Sequence, residues 1–281
     1  MLKNAIYGLA VADAVGVPYE FRYRDTFECT GVSGYGTYNQ PPGTWSDDTS
    51  MTIATCRSIK ENEGKMNFQD MMDKFLDWYE QGEYTPFGET FDIGNTTRAV
   101  LEEYKRTGNP LECGRSDQYS NGNGSLMRIL PLAFLDVSDE TIEKVSALTH
   151  AHELSRMACV LYIHIARSLL KGKGIEEAIA DGLGSIRIKP ASFNRISRLS
   201  TISREEIKSS GYVLDTIEAA LWCLIHSSSY KDCVLLAVNL GEDTDTVAAV
   251  AGGLAGIIYG VPEDWLAELQ RKELINHCLF E

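Results

Sequence analysis

The sequence predicts an all-α fold, a single compact multi-helix domain over residues 1–281, and three observations support it. Apolar residues recur at spacings of three and four along most of the chain, as on the buried face of an α-helix. Alternating apolar patterns and hairpin dipeptides, which indicate strands, are missing. No linker of low complexity and no internal repeat divides the chain, so one domain is favoured over two.

The helical spacing recurs in a series of segments separated by polar connections. In chain order these are 3–15, 50–61, 67–80, 95–106, 125–135, 139–149, 153–170, 175–183, 213–226, 230–239 and 245–259. The first of them ends at Gly16, and Pro18 stiffens the exit from that helix. Pieces near 27–38 and 199–207 are ambiguous and carry no assignment.

Two long irregular segments interrupt the helices. Residues 31–46 are rich in Gly, Pro and Tyr, and residues 107–124 end in alternating Asn and Gly. Loops of this length inside a compact domain are usually functional or disordered. Both loops end beside residues whose chemistry points to a site.

The composition is that of a soluble globular protein, with 44% hydrophobic residues and a net charge of −14. That charge argues against general nucleic-acid binding and against docking on an anionic membrane, and it suits cation binding. The N-terminus shows no convincing cleavage site, and the longest apolar run, 247–260, is too short to span a bilayer. We therefore expect a cytoplasmic protein. Its seven scattered cysteines show no Cys-x-x-Cys spacing, which disfavours zinc ribbons and redox motifs.

Two acidic clusters carry the strongest chemical signal. Residues 46–49 (SDDT) and 241–246 (GEDTDT) each place carboxylates and hydroxyls at the expected N-terminus of a helix. Helix capping is one interpretation, because Ser, Thr and Asp are preferred caps and acids favour the first turn. A cap needs one acceptor oxygen, however, and each cluster offers several. If the clusters converge, their oxygens match the preference of Mg²⁺ or Mn²⁺, whereas the absence of His and Cys from both disfavours zinc.

Two further acids stand apart from the clusters. Glu20 follows the exit of the first helix, where a surface acid is the alternative to a functional role. Asp92 precedes the helix expected from Asn95, and it suits either the cap of that helix or a functional group. The residues by themselves leave both assignments open.

Residues 122–125 (GNGS) precede a helix that we expect to begin near Leu126. Free N–H groups at a glycine-rich helix entry can bind an anion, although an ordinary flexible loop is the alternative. The segment matches neither the P-loop nor the dinucleotide-binding motif. His150, at a helix boundary, is a better candidate for ligand contact than the histidines within apolar helical runs.

Taken together, these stretches resemble the ADP-ribosylglycohydrolase family, which includes the dinitrogenase reductase-activating glycohydrolase and the ADP-ribosylarginine and ADP-ribosylserine hydrolases. The resemblance extends over nearly the whole chain. In the family's order it is carried by GLAVADAVGVPYEF, SDDTSM, DIGNTTR, NGNGSLMRILPLA, LTHAHELS, SGYVLDTIEAALW and NLGEDTDTVAAVAGGLAG. It implies an all-helical domain around a central binuclear site for two Mg²⁺ or two Mn²⁺ ions.

The resemblance also implies roles for individual residues. The implied metal ligands are Ser46, Asp47, Asp48, Asp243, Asp245 and Thr246. The implied catalytic residues are Glu20, Asp48, Asp92 and Asp245, with Glu20 beside the metals and Asp92 facing the scissile ribose. The implied substrate-binding residues are Gly94, Asn121, Gly122, Asn123, Gly124, Ser125, His150 and Tyr212, of which 122–125 would cradle the diphosphate. Three features depart from the family pattern: Ser46 stands where threonine is common, Glu242 stands where glycine is common, and NGNGS at 121–125 is one of several variants of the phosphate loop.

The implied activity is metal-dependent hydrolysis of the glycosidic bond between ADP-ribose and an acceptor, such as a protein arginine, with release of ADP-ribose. The implied partner is an ADP-ribosylated protein or small molecule. Two alternatives remain. A two-metal hydrolase of nucleotides or phosphoesters would use the same ligands but release phosphate or a nucleoside monophosphate. A non-catalytic ADP-ribose-binding protein is the other, and the presence of all four cluster aspartates argues against it.

Overall fold

The computed structural model describes residues 1–186 and 191–281, and the regular structure within them is helical. The α-helices are α1 (Leu2–Gly16), α2 (Asp47–Glu61), α3 (Phe68–Gln81), α4 (Asn95–Thr107), α5 (Asp139–Ala147), α6 (Glu153–Leu170), α7 (Ile175–Ser185), α8 (Val213–Ile225), α9 (Tyr230–Val238), α10 (Thr244–Tyr259), α11 (Glu263–Glu268) and α12 (Lys272–Cys278). Short 3₁₀ helices cover Val17–Tyr19, Leu130–Phe134, Ala191–Thr201 and Arg204–Glu206. Extended pairing among the described residues is confined to isolated bridges, so the all-α prediction is confirmed.

One predicted helix is wrong. The segment 125–135 forms a hydrogen-bonded turn, in which Met127 N–H donates to Asn123 O, followed by the 3₁₀ helix Leu130–Phe134. Pro131 explains the difference, because its missing N–H and its ring are incompatible with the interior of an α-helix. The short C-terminal helices α11 and α12 had not been predicted, since six and seven residues show too little of the helical period.

Helices α1 and α10 form the centre of the fold. Both are buried almost all round, as expected for helices enclosed by other helices. They approach so closely that a Cβ atom on Gly8 would lie 2.4 Å from the carbonyl oxygen of Gly252. At the end of the contact, a Cβ on Gly16 would lie 2.4 Å from Cα of Asp245. The close packing therefore brings the end of α1 against the acidic start of α10.

The cysteines pack as small buried side chains. All seven are free and buried. Within the part of the chain that the structure describes, no helix combines the length and the hydropathy that crossing a bilayer requires.

Candidate metal centre and substrate cavity

The N-termini of α2 and α10 meet at their acidic ends. Thr246 Oγ1, at the start of α10, donates to Asp48 Oδ2 over 3.2 Å, and Ser46 Oγ donates to the same oxygen over 3.3 Å. Ser46 also caps α2, because its Oγ accepts the N–H of Asp48. Ser46 is therefore a helix cap, and Asp48 meets the second cluster, as convergence of the two clusters required; metal binding by them stays a prediction.

Asp13 on α1 holds this arrangement in place. Its side chain is fully buried, and both of its oxygens accept from the N–H of Ser46, at 3.0 and 3.1 Å. Asp13 Oδ2 also accepts from the N–H of Thr49 over 3.1 Å and from the Thr49 hydroxyl. Sequence reasoning had given Asp13 no role. The available signal was a single acid within an otherwise apolar helix, which is rarely buried without a partner.

A second group of carboxylates lies beside the first. Glu20, Asp243 and Asp245 each offer an oxygen such that the three atoms lie within 4.8 Å of one another. Glu20 is 5% exposed, so it is not the surface acid that the sequence left open. Its loop pairs with the second cluster, since Phe21 N–H donates to Glu242 O over 2.7 Å and Glu242 N–H donates to Arg22 O over 2.8 Å.

We call the two acidic clusters together with Glu20 the acidic centre. It holds more buried acceptor oxygens than the hydrogen-bond donors of the described residues satisfy. Four carboxylate oxygens are buried without a hydrogen-bond partner: Glu20 Oε2, Asp48 Oδ1, Asp243 Oδ1 and Asp245 Oδ2. Leaving a buried polar atom unsatisfied costs about 1–3 kcal/mol, and more when the group is charged. Clustered carboxylates flanked by hydroxyls are the ligands of hard divalent cations, so this donor set fits such ions.

The pKa values of the carboxyl groups at the centre are raised, which agrees with an excess of buried negative charge. Burial raises the pKa of Asp243 to about 6, and burial likewise raises that of Asp13 to about 6. Burial and then neighbouring carboxylates raise the pKa of Asp48 and of Asp245 well above the usual aspartate range. Burial, with the nearby charge of Asp92, raises the pKa of Glu20 to about 10. Cations among these groups would stabilise the ionised forms and reverse these shifts.

A cavity of about 570 Å³ opens over the centre. Its acidic wall is formed by Glu20, Asp47, Asp92, Asp243 and Thr246. The lining also includes Gly94, Gly122, Asn123, Gly124 and His150. Sequence reasoning had missed other lining residues, namely Phe21, Tyr38, Ile93, Asn95, Thr96, Thr97, Arg98, Tyr119, Met127 and Gly211. Ser46, Asp48 and Asp245 do not line this space themselves and lie buried beneath it.

Asp92 is held at the cavity wall in a strained conformation. Its φ of 58° lies in the left-handed region, and Tyr38 Oη donates to its Oδ1 over 2.6 Å. It does not cap α4, whose N-cap residue is Gly94. Of the two roles that the sequence left open for Asp92, the geometry excludes capping. Burial and the charge of Asp92 raise the pKa of Tyr38, so the phenol keeps its proton for this bond.

Residues 121–125 form a loop that we call the glycine loop. Its backbone pairs with the start of α8, since Asn123 N–H donates to Gly211 O over 3.1 Å and Val213 N–H donates to Asn121 O over 2.9 Å. Asn123 Nδ2 donates to Asp243 Oδ2 over 2.8 Å, which ties the loop to the acidic centre. In the described structure the loop leads into a turn and the 3₁₀ helix Leu130–Phe134 and not directly into an α-helix, so an anion held here would meet loop backbone and not a helix terminus.

Three predicted substrate-binding residues lie away from the cavity wall. Asn121 is buried behind the loop, where its Oδ1 accepts from Ser155. Ser125 Oγ accepts from Ser146 Oγ over 2.9 Å and is fully buried. The Tyr212 side chain is 38% exposed, and the backbone of Tyr212 pairs with Gly122. All three support the loop in this structure.

His150 packs against the inner side of the glycine loop. A Cβ on Gly124 would lie 2.8 Å from His150 Cε1 and 3.1 Å from Thr97 Oγ1, so only glycine fits there without a shift. Burial and the neighbouring Arg128 charge lower the pKa of His150 to about 3, which keeps the imidazole neutral. This part of the cavity wall therefore presents backbone and a neutral ring.

Known proteins are similar to this chain in sequence and in fold. Residues 2–279 match the family model described as ADP-ribosylglycohydrolase. The chain is 38% identical to the ADP-ribosylarginine hydrolase Tri1 of Pseudomonas putida, over 98% of this chain and 75% of that protein. It is 29% identical to the ADP-ribosyl-dinitrogen reductase glycohydrolase of Rhodospirillum rubrum, over 96% of this chain and 90% of the relative. A chain in a solved ADP-ribosylglycohydrolase-related protein complex superposes with a TM-score of 0.81 at 31% identity, covering 98% of this chain and 94% of that one.

The helical fold and its buried carboxylate centre, together with these matches, define a glycohydrolase enzyme. The chain belongs to the ADP-ribosylglycohydrolase family.

Proposed function

We propose that this protein is a metal-dependent hydrolase that cleaves the glycosidic bond between ADP-ribose and an acceptor, with a protein arginine as the first acceptor to test. The observation that carries this proposal is the set of four unpartnered carboxylate oxygens beneath a cavity. The glycine loop lines the same cavity. Two similar proteins bear the name ADP-ribosylarginine hydrolase, which favours the arginine linkage.

The proposed cofactors are two Mg²⁺ or two Mn²⁺ ions. The residues that would hold them are Ser46, Asp47, Asp48, Asp243, Asp245 and Thr246. When bound, such ions supply positive charge for hydroxyl oxygens of a ribose and for a water molecule. Asp13 would keep the α2 half of this set in register with α1.

The chain's own residues would handle the proton and the orientation of the ribose. Glycosidic cleavage develops positive charge at the sugar carbon, so carboxylates close to it stabilise the transition state. Asp92, oriented by Tyr38, is placed at the cavity wall for that role. Glu20 lines the cavity beside Asp243 and Asp245, where its carboxylate would take or relay a proton. Together with Asp48 and Asp245, these residues form the proposed catalytic set.

The proposed substrate-binding residues are Gly94, Gly122, Asn123, Gly124 and His150 at the cavity wall, with Asn121, Ser125 and Tyr212 behind it. Glycines let a diphosphate approach the backbone closely, and a cavity of about 570 Å³ lies within the ~300–1,000 Å³ range of small-molecule sites. Asn121, Ser125 and Tyr212 would contribute by shaping the loop.

A defined substrate panel tests this function. The purified protein with Mg²⁺ or Mn²⁺ is incubated with peptides ADP-ribosylated on arginine or on serine, and with a nucleoside diphosphate. We expect release of free ADP-ribose from one glycosidic linkage. Release of phosphate or a nucleoside monophosphate would favour the phosphoester alternative, and binding of ADP-ribose without turnover would favour the non-catalytic one.

Two isosteric variants connect that activity to the centre. Asp48→Asn and Asp245→Asn should each lower kcat at least 100-fold, because an amide is a poor ligand for a hard cation and carries no charge. Asp136→Asn is the matched control, since Asp136 is an exposed aspartate outside the centre. Equal loss of activity in the control, or full activity in both centre variants, would contradict the assignment.

A further inference from the structure

His150 lies at one end of a buried chain of hydrogen bonds. Arg128 Nη2 donates to Thr149 Oγ1 over 2.9 Å, and Thr149 Oγ1 lies 2.9 Å from His150 Nδ1. Arg128 and Thr149 are fully buried, and His150 is 2% exposed. The three side chains are therefore shielded from exchange with solvent.

The guanidinium of Arg128 sets the donor-to-acceptor direction of these hydrogen bonds. A guanidinium can only donate, so Thr149 Oγ1 must act as acceptor toward Arg128. The one hydroxyl hydrogen of Thr149 is then free for His150 Nδ1, and no other acceptor for it is found among the described residues. A neutral imidazole whose Nδ1 accepts must carry its proton on Nε2. The imidazole is neutral here, because burial and the Arg128 charge disfavour the imidazolium.

The protonated nitrogen faces the glycine loop. A Cβ placed on Gly122 or on Gly124 would lie 3.4 Å from His150 Nε2, and the ring lines the cavity. Among the described residues, Nε2 has no hydrogen-bond partner, whereas Nδ1 has one. The Nε2–H group of His150 therefore faces the backbone of Gly122 and Gly124, which carry no side chain.

The buried guanidinium of Arg128 has fewer hydrogen-bond acceptors than it has N–H groups. Its Nε and Nη1 atoms are buried without partners, and its guanidinium carbon lies 4.6 Å from the centroid of the Phe75 ring. No carboxylate pairs with it among the ion pairs of the described residues. A buried unpaired charge is costly, so an apolar residue would suit the core better unless the guanidinium has another role.

We propose that Arg128 and Thr149 are positioning residues that fix His150 as an Nε2–H donor to a phosphate oxygen of ADP-ribose at the glycine loop. The identity of the ligand rests on the proposed function, whereas the direction of the hydrogen-bond chain does not. The buried guanidinium also places a positive charge behind the wall that would face the phosphates.

Nitrogen NMR of the histidine rings tests the tautomer directly. In wild-type protein labelled with ¹⁵N-histidine, the resonances of His150 are assigned by their loss in His150→Gln. At pH 7 we expect Nε2 to carry the proton and Nδ1 to be unprotonated. A protonated Nδ1, or an imidazolium at that pH, would overturn the proposal whatever the enzyme hydrolyses.

Variants of Thr149 test the consequence for binding. Thr149→Val keeps the shape but removes the hydroxyl, and we expect about tenfold weaker ADP-ribose binding by calorimetry, the magnitude of a lost charge-assisted hydrogen bond. Thr149→Ser keeps the hydroxyl and should restore wild-type binding. Mn²⁺ affinity, measured in parallel, should stay within twofold in both variants, because neither touches the acidic centre.

Arg128→Met gives a second test that keeps an unbranched side chain of similar length against Phe75. It should weaken ADP-ribose binding in the same direction and mix the His150 tautomers. With an active substrate, Thr149→Val should raise KM about tenfold and leave kcat within twofold. Binding of ADP-ribose that is unchanged in Thr149→Val, or not restored in Thr149→Ser, would overturn the proposal. If no substrate is hydrolysed but these binding differences appear, the proposed function fails and the positioning role stands.

Discussion

Single residues at the acidic centre serve two purposes at once. Asp47 and Asp48 occupy the first turn of α2, where the helix dipole favours acids. Asp48 also offers an oxygen that no donor of the described residues satisfies. Asp13 differs, because its oxygens all point toward donors on the α2 N-terminus. It is a supporting residue for the centre, and one substitution can separate support from metal ligation.

Asp13→Asn should weaken the centre without removing a proposed ligand. An amide group cannot accept on both sides, so at least one N–H of Ser46 or Thr49 would face another donor. We expect the free energy of unfolding to fall by about 2 kcal/mol and Mn²⁺ binding to weaken about tenfold. Thermal unfolding and calorimetry measure the two effects, with Asp136→Asn as the control. Unchanged Mn²⁺ affinity would show that Asp13 acts on stability alone.

Among the elements, the contact of α1 with α10 decides where the centre can form. Small residues allow the two helices to approach, and Tyr230 Oη donates to Gly8 O over 2.5 Å at this contact. The hydroxyl of Thr244 donates to Gly16 O over 2.9 Å and fixes the start of α10 against the end of α1. The helix pair thus sets the position of Asp245 relative to Asp13.

Gly8→Ala should be destabilising although alanine is the better helix former. The new Cβ would meet the backbone of α10 at 2.4 Å, so one helix must shift, which costs about 1–3 kcal/mol. Gly184→Ala, near the end of α7, is the matched control because no described atom lies within 4 Å of its Cβ. There we expect a gain of about 0.5–1 kcal/mol. Denaturant unfolding of both variants checks the opposite signs, and equal effects would contradict this account of the contact.

At the scale of the whole molecule, we expect the net charge of −14 and the buried carboxylates to make stability depend on cations. Asp13 and Asp243 titrate near 6 in the folded state, against an ordinary value of 3.8. The folded state therefore binds more protons than the unfolded state between these values. Their contribution to stability is complete below about pH 4 and is lost as the pH rises through about 6.

The metal-free protein should consequently lose thermal stability as the pH rises from about 4 to about 7, and divalent cations should restore it increasingly over the same range. Tm is measured in chelator and in Mg²⁺ or Mn²⁺ at each pH. Asp245→Asn should show a higher metal-free Tm at pH 8 than wild type, because it removes one of the repelling charges, and it should gain less from the cation. A Tm at pH 8 that is the same in chelator and in Mg²⁺ or Mn²⁺ would contradict the proposed metal centre.

The core runs without interruption from α1 to α12, with buried members from Ala5 to Cys278. A single domain over 1–281 is consistent with that and stays a prediction. The positions of most helices and the two acidic clusters were predictable from the sequence, because each depends on residues close together in the chain. Pro131 shows the limit, since an apolar pattern around it favoured a helix that its backbone chemistry excludes.

The sequence by itself determined most of the helical elements, the acids at two helix starts and the family resemblance that the comparisons confirm. Only the tertiary structure decided that Thr246 meets Asp48, 198 residues earlier, and that Asp13 supports them. It alone brought Arg128 to Thr149 behind the glycine loop. The physical reason is that helix formation depends on local spacing, whereas charge pairing and proton positions depend on groups that packing brings together.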